Sequence, residues 1–82
     1  MTSKNEKTKT FIVACIPALN EEKTIAQTIE KTRKYVEQVI ICDDGSTDNT
    51  AELVKQTDAV LLQHEKNMGK GKALQTCFQF IL

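Results

Sequence analysis

The chain has 82 residues, and its 11 basic and 11 acidic residues cancel. Balanced charge and an aromatic fraction of 5% argue against a nucleic-acid surface, which needs a basic patch. A fold of this length buries only about 60–65% of the surface that its unfolded chain exposes, so a large independent core is excluded.

The first ten residues predict a disordered tail. Lys4 to Lys9 is polar and rich in lysine, and it has no apolar core, so it is neither a signal peptide nor a membrane span. We therefore expect residues 1–10 to be solvated.

From Phe11 onward the same pattern occurs three times: an apolar run, a polar turn and a helical period. The first run, 11–16, should stop at Pro17, which cannot donate to a sheet ladder. Asn20 is expected to cap the following helix, with Glu21 and Glu22 in its first turn, where acids complement the helix dipole. One face of that helix carries Ile25, Ile29 and Val36.

The second run, 38–42, is rich in β-branched residues and predicts a strand buried on both faces. It ends abruptly in Asp43 and Asp44, and a helix is expected to begin near Asp48 or Asn49. The inward side of that helix is predicted to be Ala51, Leu53 and Val54.

The third run, 59–63, is followed by a loop through 67–69 and a final helix. The apolar stripe of that helix is predicted to be Ala73, Leu74, Cys77, Phe78, Ile81 and Leu82. Alternating strands and helices predict an α/β fold with βαβ units and a parallel sheet. Three parallel strands leave two open edges, and the last helix lacks a C-cap, so we expect residues 11–82 to be part of a truncated domain.

The cysteines and the single histidine do not predict a disulfide framework, a metal site or a catalytic triad. Cys15, Cys42 and Cys77 are odd in number and widely spaced, so we expect buried thiols in a reducing, cytoplasmic compartment. His64 has no second imidazole or nearby thiol for a metal site or a triad, and we expect it on the surface at a strand end.

In an open parallel sheet, ligands bind beyond the carboxyl ends of the strands. Asp44 follows the second strand, and a buried lone carboxylate is costly unless something pairs with it. An ionised carboxylate only accepts hydrogen bonds, which suits the N–H of a nucleobase or a ribose hydroxyl. Gly69 and Gly71 allow a close backbone approach, and Lys70 and Lys72 offer charge for a phosphate. The strand ends therefore predict a nucleotide site.

The sequence does not match other known motifs for binding phosphate groups. A P-loop needs Ser or Thr after Gly71-Lys72, where this chain has Ala73, and a dinucleotide fingerprint needs three glycines after the first strand. The acid pair of phospho-receiver domains usually follows the first strand.

Three blocks, 16–22, 43–50 and 67–74, resemble in order and spacing the opening of family 2 glycosyltransferases. The most similar members are those that charge a polyprenyl or dolichyl phosphate with mannose or glucose. The resemblance implies the three-layer, parallel βαβαβα half of a GT-A fold, a Rossmann-like fold for nucleotide-diphospho-sugars. It also implies inverting transfer from a UDP- or GDP-sugar, a polyprenyl phosphate acceptor and a place at the cytoplasmic face of a membrane.

The resemblance implies roles for individual residues. Leu19 replaces an aromatic residue that is common in the family and removes possible stacking, and Asp43 is expected to support the turn. Asn20, Ser46 and Asp48 are explained as caps or turn formers. The implied nucleotide-binding residues are Pro17, Leu19, Glu21, Asp44, Gly69 and Lys70.

The family holds Mg²⁺ or Mn²⁺ with an Asp-x-Asp motif, and no Asp-x-Asp occurs in these 82 residues. The family's catalytic base lies still further along its sequences. The resemblance therefore implies that this chain supplies nucleotide recognition and no catalytic residue or metal ligand, and that alone it is inactive. A non-catalytic nucleotide-binding or regulatory α/β module remains the alternative.

Overall fold

The structure, a computed structural model, describes residues 10–82. Of the predicted tail, only Thr10 falls within the described residues. The elements are β1 (Val13–Ala18), α1 (Ile25–Thr32), β2 (Gln38–Asp43), α2 (Thr50–Lys55), β3 (Val60–Gln63) and α3 (Lys70–Ile81).

The three strands form one parallel sheet in the order β1-β2-β3. Successive side chains of β2 point to opposite faces of the sheet. Val39 and Ile41 pack with residues of α1 and α2 on one face, whereas Ile40 and Cys42 pack with residues of α3 on the other. The predicted α/β class, with helices on both faces of a parallel sheet, is confirmed, and the arrangement agrees with half of a GT-A domain.

The first strand differs from its prediction. Pro17 does not end β1, because it pairs with Cys42 inside the sheet and the strand continues to Ala18. β1 lies at one edge of the described sheet, and an edge strand tolerates proline because one side of its backbone needs no ladder partner.

The first helix begins later than its sequence pattern suggests. Thr24 occupies the N-cap position without a side-chain cap hydrogen bond, and the first turn of α1 contains no acidic residue. The prediction that Asn20 caps this helix, with Glu21 and Glu22 in its first turn, is therefore wrong. These residues form a loop whose polar groups bond to the next loop instead.

The last helix is only partly covered by the sheet. α3 packs on β1 and β2, and Ala73 and Cys77 are fully buried, but Phe78 is 55% exposed and Ile81 45% exposed. The apolar stripe is therefore buried at Ala73 and Cys77 and exposed in the last turn, because a three-stranded sheet does not cover the whole of this helix. None of the helices within residues 10–82 is long and apolar enough to cross a membrane.

The cysteines behave mainly as core residues. All three are free, with Cys42 and Cys77 buried and Cys15 half-buried. Burial raises the pKa of the Cys77 thiol to about 12, and the neighbouring Cys15 and Cys42 add to the shift. A thiol held in its neutral form behaves as a small hydrophobic side chain, as the sequence predicts.

Gly45 allows two loops to touch through their backbones. Its φ is +82°, and a Cβ added there would lie 2.5 Å from the carbonyl carbon of Lys66 and 2.6 Å from the nitrogen of Asn67. Both the dihedral angle and the contact exclude a larger residue. The turn after β2 is thereby fixed against the connection from β3 to α3.

Replacing Gly45 by alanine should lower the free energy of unfolding by about 2 kcal/mol or more, because a strained φ adds to a backbone clash. Gly71 provides the matched control, since it lies in α3 with nothing within 4 Å of an added Cβ. Gly71→Ala should raise the stability by about 0.5–1 kcal/mol through helix propensity. Urea unfolding followed by circular dichroism measures both, and equal effects of the two substitutions would contradict the contact.

Candidate ligand-binding site at the carboxyl ends of the strands

The strand-to-helix loops meet at one edge of the sheet and enclose a cleft of about 410 Å³. All six residues implied as nucleotide-binding line this strand-end cleft, so the structure brings them together. Ala18 and Asn67 also line it and are absent from the sequence-based set, whereas Gly71 and Lys72 are not among its lining residues. The full lining is Pro17, Ala18, Leu19, Glu21, Asp44, Asn67, Gly69 and Lys70.

Reciprocal hydrogen bonds join the β1–α1 loop to the turn after β2. Asn20 adopts a left-handed conformation with φ +53°, which asparagine tolerates better than most residues. Its N–H donates to Ser46 Oγ at 2.8 Å, and its Oδ1 accepts from the N–H of Thr47 at 2.8 Å. The Ser46 hydroxyl in turn donates to Asp43 Oδ1, which confirms the expected turn-supporting role of Asp43.

The same two loops are joined a second time at the start of α2. The Glu21 N–H donates to Thr50 Oγ1 at 2.8 Å, and Glu22 Oε1 accepts from the N–H of Asn49 at 3.1 Å. Asp48 accepts from the N–H of Thr50 at 2.9 Å and from that of Glu22 at 3.3 Å. Burial opposes ionisation of Asp48, but the bonds from Thr50 and Glu22 outweigh it and lower its pKa. These bonds hold Glu21 beside the strand-end cleft.

Asp44 joins β2 to the connection between β3 and α3. The residue is only 4% exposed. Its Oδ1 accepts from the N–H of Met68 at 2.9 Å and lies 2.8 Å from Nδ1 of His64, and its Oδ2 accepts from the N–H of Gly69 at 2.9 Å. The expectation that a ligand pairs with this acid is therefore incomplete, because the carboxylate is already paired within the chain and also has a structural role.

These contacts keep Asp44 ionised. The hydrogen bond from His64 lowers the pKa of the Asp44 carboxyl most, and the N–H groups of Met68 and Gly69 lower it further, against an opposing effect of burial. Asp44 is therefore a fixed negative charge at neutral pH, with one edge on the strand-end cleft.

His64 contradicts its sequence-based prediction of a surface position. Its side chain is 9% exposed, and its Nε2 lies 2.8 Å from Thr76 Oγ1 and 3.7 Å from Cys42 Sγ. Asp43 pairs with Gln63, so His64 and Asp44 each follow one member of a paired couple. Correct alignment of β2 with β3 at the sequence level would therefore have predicted that His64 and Asp44 lie side by side.

The walls of the strand-end cleft differ in character. Pro17 and Leu19, which is 38% exposed, provide apolar surface. Gly69 precedes α3 with φ +99°, a conformation that suits glycine, and Lys70 opens the helix with an exposed ammonium group. The cleft thus offers an apolar wall, a carboxylate acceptor and a cation, which suits a small ligand with a flat polar ring and an anionic group.

A metal ion has no evident site in this part of the protein. Within residues 10–82, no three His, Cys, Asp or Glu side chains are grouped so that they could hold one. The divalent ion expected from the family resemblance therefore does not fit the residues of this part of the chain.

Acidification should weaken the fold through Asp44. Its pKa in the folded protein lies below the ordinary value of 3.8, so its ionised form stabilises the protein above that pH. This contribution is lost as the pH falls through the folded pKa. In urea titrations we expect the free energy of unfolding to fall more steeply below about pH 4 in the parent than in Asp44→Asn.

Asp58→Asn is the control for this pH series. Asp58 pairs with Arg33 at 2.8 Å, but its side chain is 67% exposed, and exposed pairs contribute little. This variant should retain the parent's pH dependence. Parallel curves for the parent and Asp44→Asn would contradict the role given to the Asp44 contacts.

Sequence comparisons agree with this geometry. The family model for glycosyl transferase family 2 matches residues 13–81. A dolichyl-phosphate beta-glucosyltransferase of Trichomonas vaginalis is 39% identical over an alignment of 89 positions, covering 89% of this chain and 26% of its own length. A poly-beta-1,6-N-acetyl-D-glucosamine synthase of Staphylococcus aureus is 39% identical over 72 residues, covering 79% and 17%.

An uncharacterized protein of Methanocaldococcus jannaschii is 36% identical over 77 residues, covering 87% of this chain and 34% of its own length. The chain thus spans about a third or less of the length of these relatives. Because the family model covers nearly all of the described residues, the chain belongs to glycosyl transferase family 2.

Proposed function

We propose that the protein takes part in inverting transfer of a sugar from a UDP- or GDP-sugar and that these residues recognise the nucleotide. The observation that carries this proposal is the meeting of all three strand-to-helix loops at one cleft, with Asp44 and Lys70 both in its lining. A volume of about 410 Å³ is also within the range of small-molecule sites.

The arrangement of groups indicates how a nucleotide would lie. The base would pack on the apolar surface of Pro17 and Leu19 and donate a hydrogen bond to Asp44. The diphosphate would lie toward Lys70, whose ammonium group compensates its charge. Glu21, on the β1–α1 loop, also lines the cleft and would accept a hydrogen bond from a ribose hydroxyl.

The acceptor and the metal are proposed from the relatives and from the family resemblance. The name of the Trichomonas vaginalis relative, a dolichyl-phosphate beta-glucosyltransferase, supports a polyprenyl phosphate acceptor. A divalent ion, Mg²⁺ or Mn²⁺, would supply charge stabilisation for the leaving diphosphate, and we propose that its ligands are not among residues 10–82, where no three suitable side chains are grouped. We also predict that the isolated 82 residues are inactive and that the protein is cytoplasmic.

Removal of the Lys70 charge should weaken nucleotide binding. We expect Lys70→Ala to lower the affinity for UDP or GDP about tenfold in calorimetric titrations, since a charged contact to phosphate is lost. Lys34→Ala removes the same charge from an exposed residue outside the cleft lining, and it should leave the affinity unchanged.

Two outcomes would count against the proposal. Failure of the parent protein to bind either nucleotide would remove the nucleotide site. Equal weakening by the two lysine substitutions would show only a general effect of net charge.

A further inference from the structure

The hydroxyl of Thr24 does not cap the helix at whose start it lies. Thr24 occupies the N-cap position of α1, where a threonine side chain commonly accepts a hydrogen bond from a first-turn N–H. Here it makes no such bond. Its hydroxyl donates instead to Oε1 of Glu21 at 3.2 Å, and Glu21 lines the strand-end cleft.

The backbone of Glu21 is held at both ends, whereas its side chain depends on this one bond. The Glu21 N–H donates to Thr50 Oγ1 at 2.8 Å, and the Glu21 C=O accepts from the N–H groups of Thr24 and Ile25 at 3.0 and 2.8 Å. Within residues 10–82, the Thr24 hydroxyl is the only group that donates to the Glu21 carboxylate. Glu21 is exposed, and an exposed glutamate without such a bond keeps most of its rotamer freedom.

The Thr24 hydroxyl reaches Glu21 from outside the strand-end cleft. A second cavity of about 160 Å³ adjoins the cleft and shares Pro17, Ala18 and Glu21 with it. Thr24 lines this second cavity and is not among the residues that line the cleft. A carboxylate has about four acceptor positions, so the bond from Thr24 leaves positions on Glu21 for a ligand in the cleft.

We propose that Thr24 is a positioning residue that holds the Glu21 carboxylate ready for the hydroxyls of a ribose. The inference rests on the proposed nucleotide site, in which Glu21 accepts from a ribose hydroxyl. The neighbouring 2′ and 3′ hydroxyls of ribose are donors, and a carboxylate can only accept. Ordering a flexible side chain at the moment of binding lowers affinity, and a side chain that is ordered beforehand avoids this loss.

The test compares UDP and GDP with their 2′,3′-dideoxy analogues, which keep the base and the diphosphate but lack both ribose hydroxyls. In calorimetric titrations, the parent should bind the ribonucleotide about tenfold or more tightly than the analogue, because hydrogen bonds to a charged acceptor are lost. Thr24→Val keeps the shape of the side chain and removes the hydroxyl. It should weaken binding of the ribonucleotide about threefold to tenfold and leave binding of the analogue unchanged.

Two further variants isolate the effect of the hydroxyl. Thr24→Ser retains a hydroxyl and should bind the ribonucleotide as the parent does. Thr28 lines the same second cavity, so Thr28→Val removes a hydroxyl that does not bond to Glu21 and should change neither affinity. Circular dichroism checks that each variant keeps the fold.

A double-mutant cycle separates positioning from a general structural role. If Thr24 acts through the Glu21 carboxylate, Thr24→Val should have no further effect on nucleotide affinity in a Glu21→Ala background. A merely structural role would weaken the ribonucleotide and its analogue equally in both backgrounds, and this result would overturn the inference.

The remaining outcomes separate the inference from the proposed function. Equal affinity of the parent for the ribonucleotide and its analogue would overturn the role of Glu21 and Thr24 and leave the nucleotide site standing. Unchanged binding of the ribonucleotide in Thr24→Val would overturn the role of Thr24 alone. Binding of neither UDP nor GDP by the parent would overturn the proposed function and, with it, this inference.

Discussion

The buried carboxylate of Asp44 connects the fold to the strand-end cleft. A buried charge is stable only when it is paired or hydrogen-bonded, and three donors from the β3–α3 connection provide those bonds. Within residues 10–82, no buried side-chain nitrogen or oxygen lacks a partner. Because Asp44 also lines the strand-end cleft, the bonds that close the loop also fix the position of this negative charge in the cleft wall.

The turn after β2 also holds the other two loops in position. On one side, Gly45 brings it against the backbone of Lys66 and Asn67. On the other side, Ser46 and Thr50 accept hydrogen bonds from backbone N–H groups of the β1–α1 loop. The central strand, fully buried at Ile40, Ile41 and Cys42, therefore fixes the walls of the cleft through one short turn.

Local sequence patterns predict the strands, their parallel order and the edge where polar residues meet, because apolar runs and turn residues are local signals. They miss the contacts between loops. Asn20 looks like a helix cap from its neighbours, but its hydrogen-bond partners lie 26 and 27 positions away. His64 looks like a surface residue until the pairing of Asp43 with Gln63 places it beside Asp44. Such partners depend on how neighbouring strands align with each other, and the residue spacing within one segment carries no information about that alignment.

Hydrogen exchange at the backbone amides of Met68 and Gly69 tests this account most directly, since both amides donate to Asp44. Both should be protected in the parent at neutral pH. In Asp44→Asn the Met68 amide should exchange about tenfold or more faster, because a neutral amide offers one weaker acceptor oxygen in place of two charged ones. The Gly69 amide keeps Asn67 Oδ1 as a second acceptor at 2.9 Å, so its exchange should rise less. Unchanged exchange at both amides would show that the carboxylate does not hold this loop, and the account of the site would fail with it.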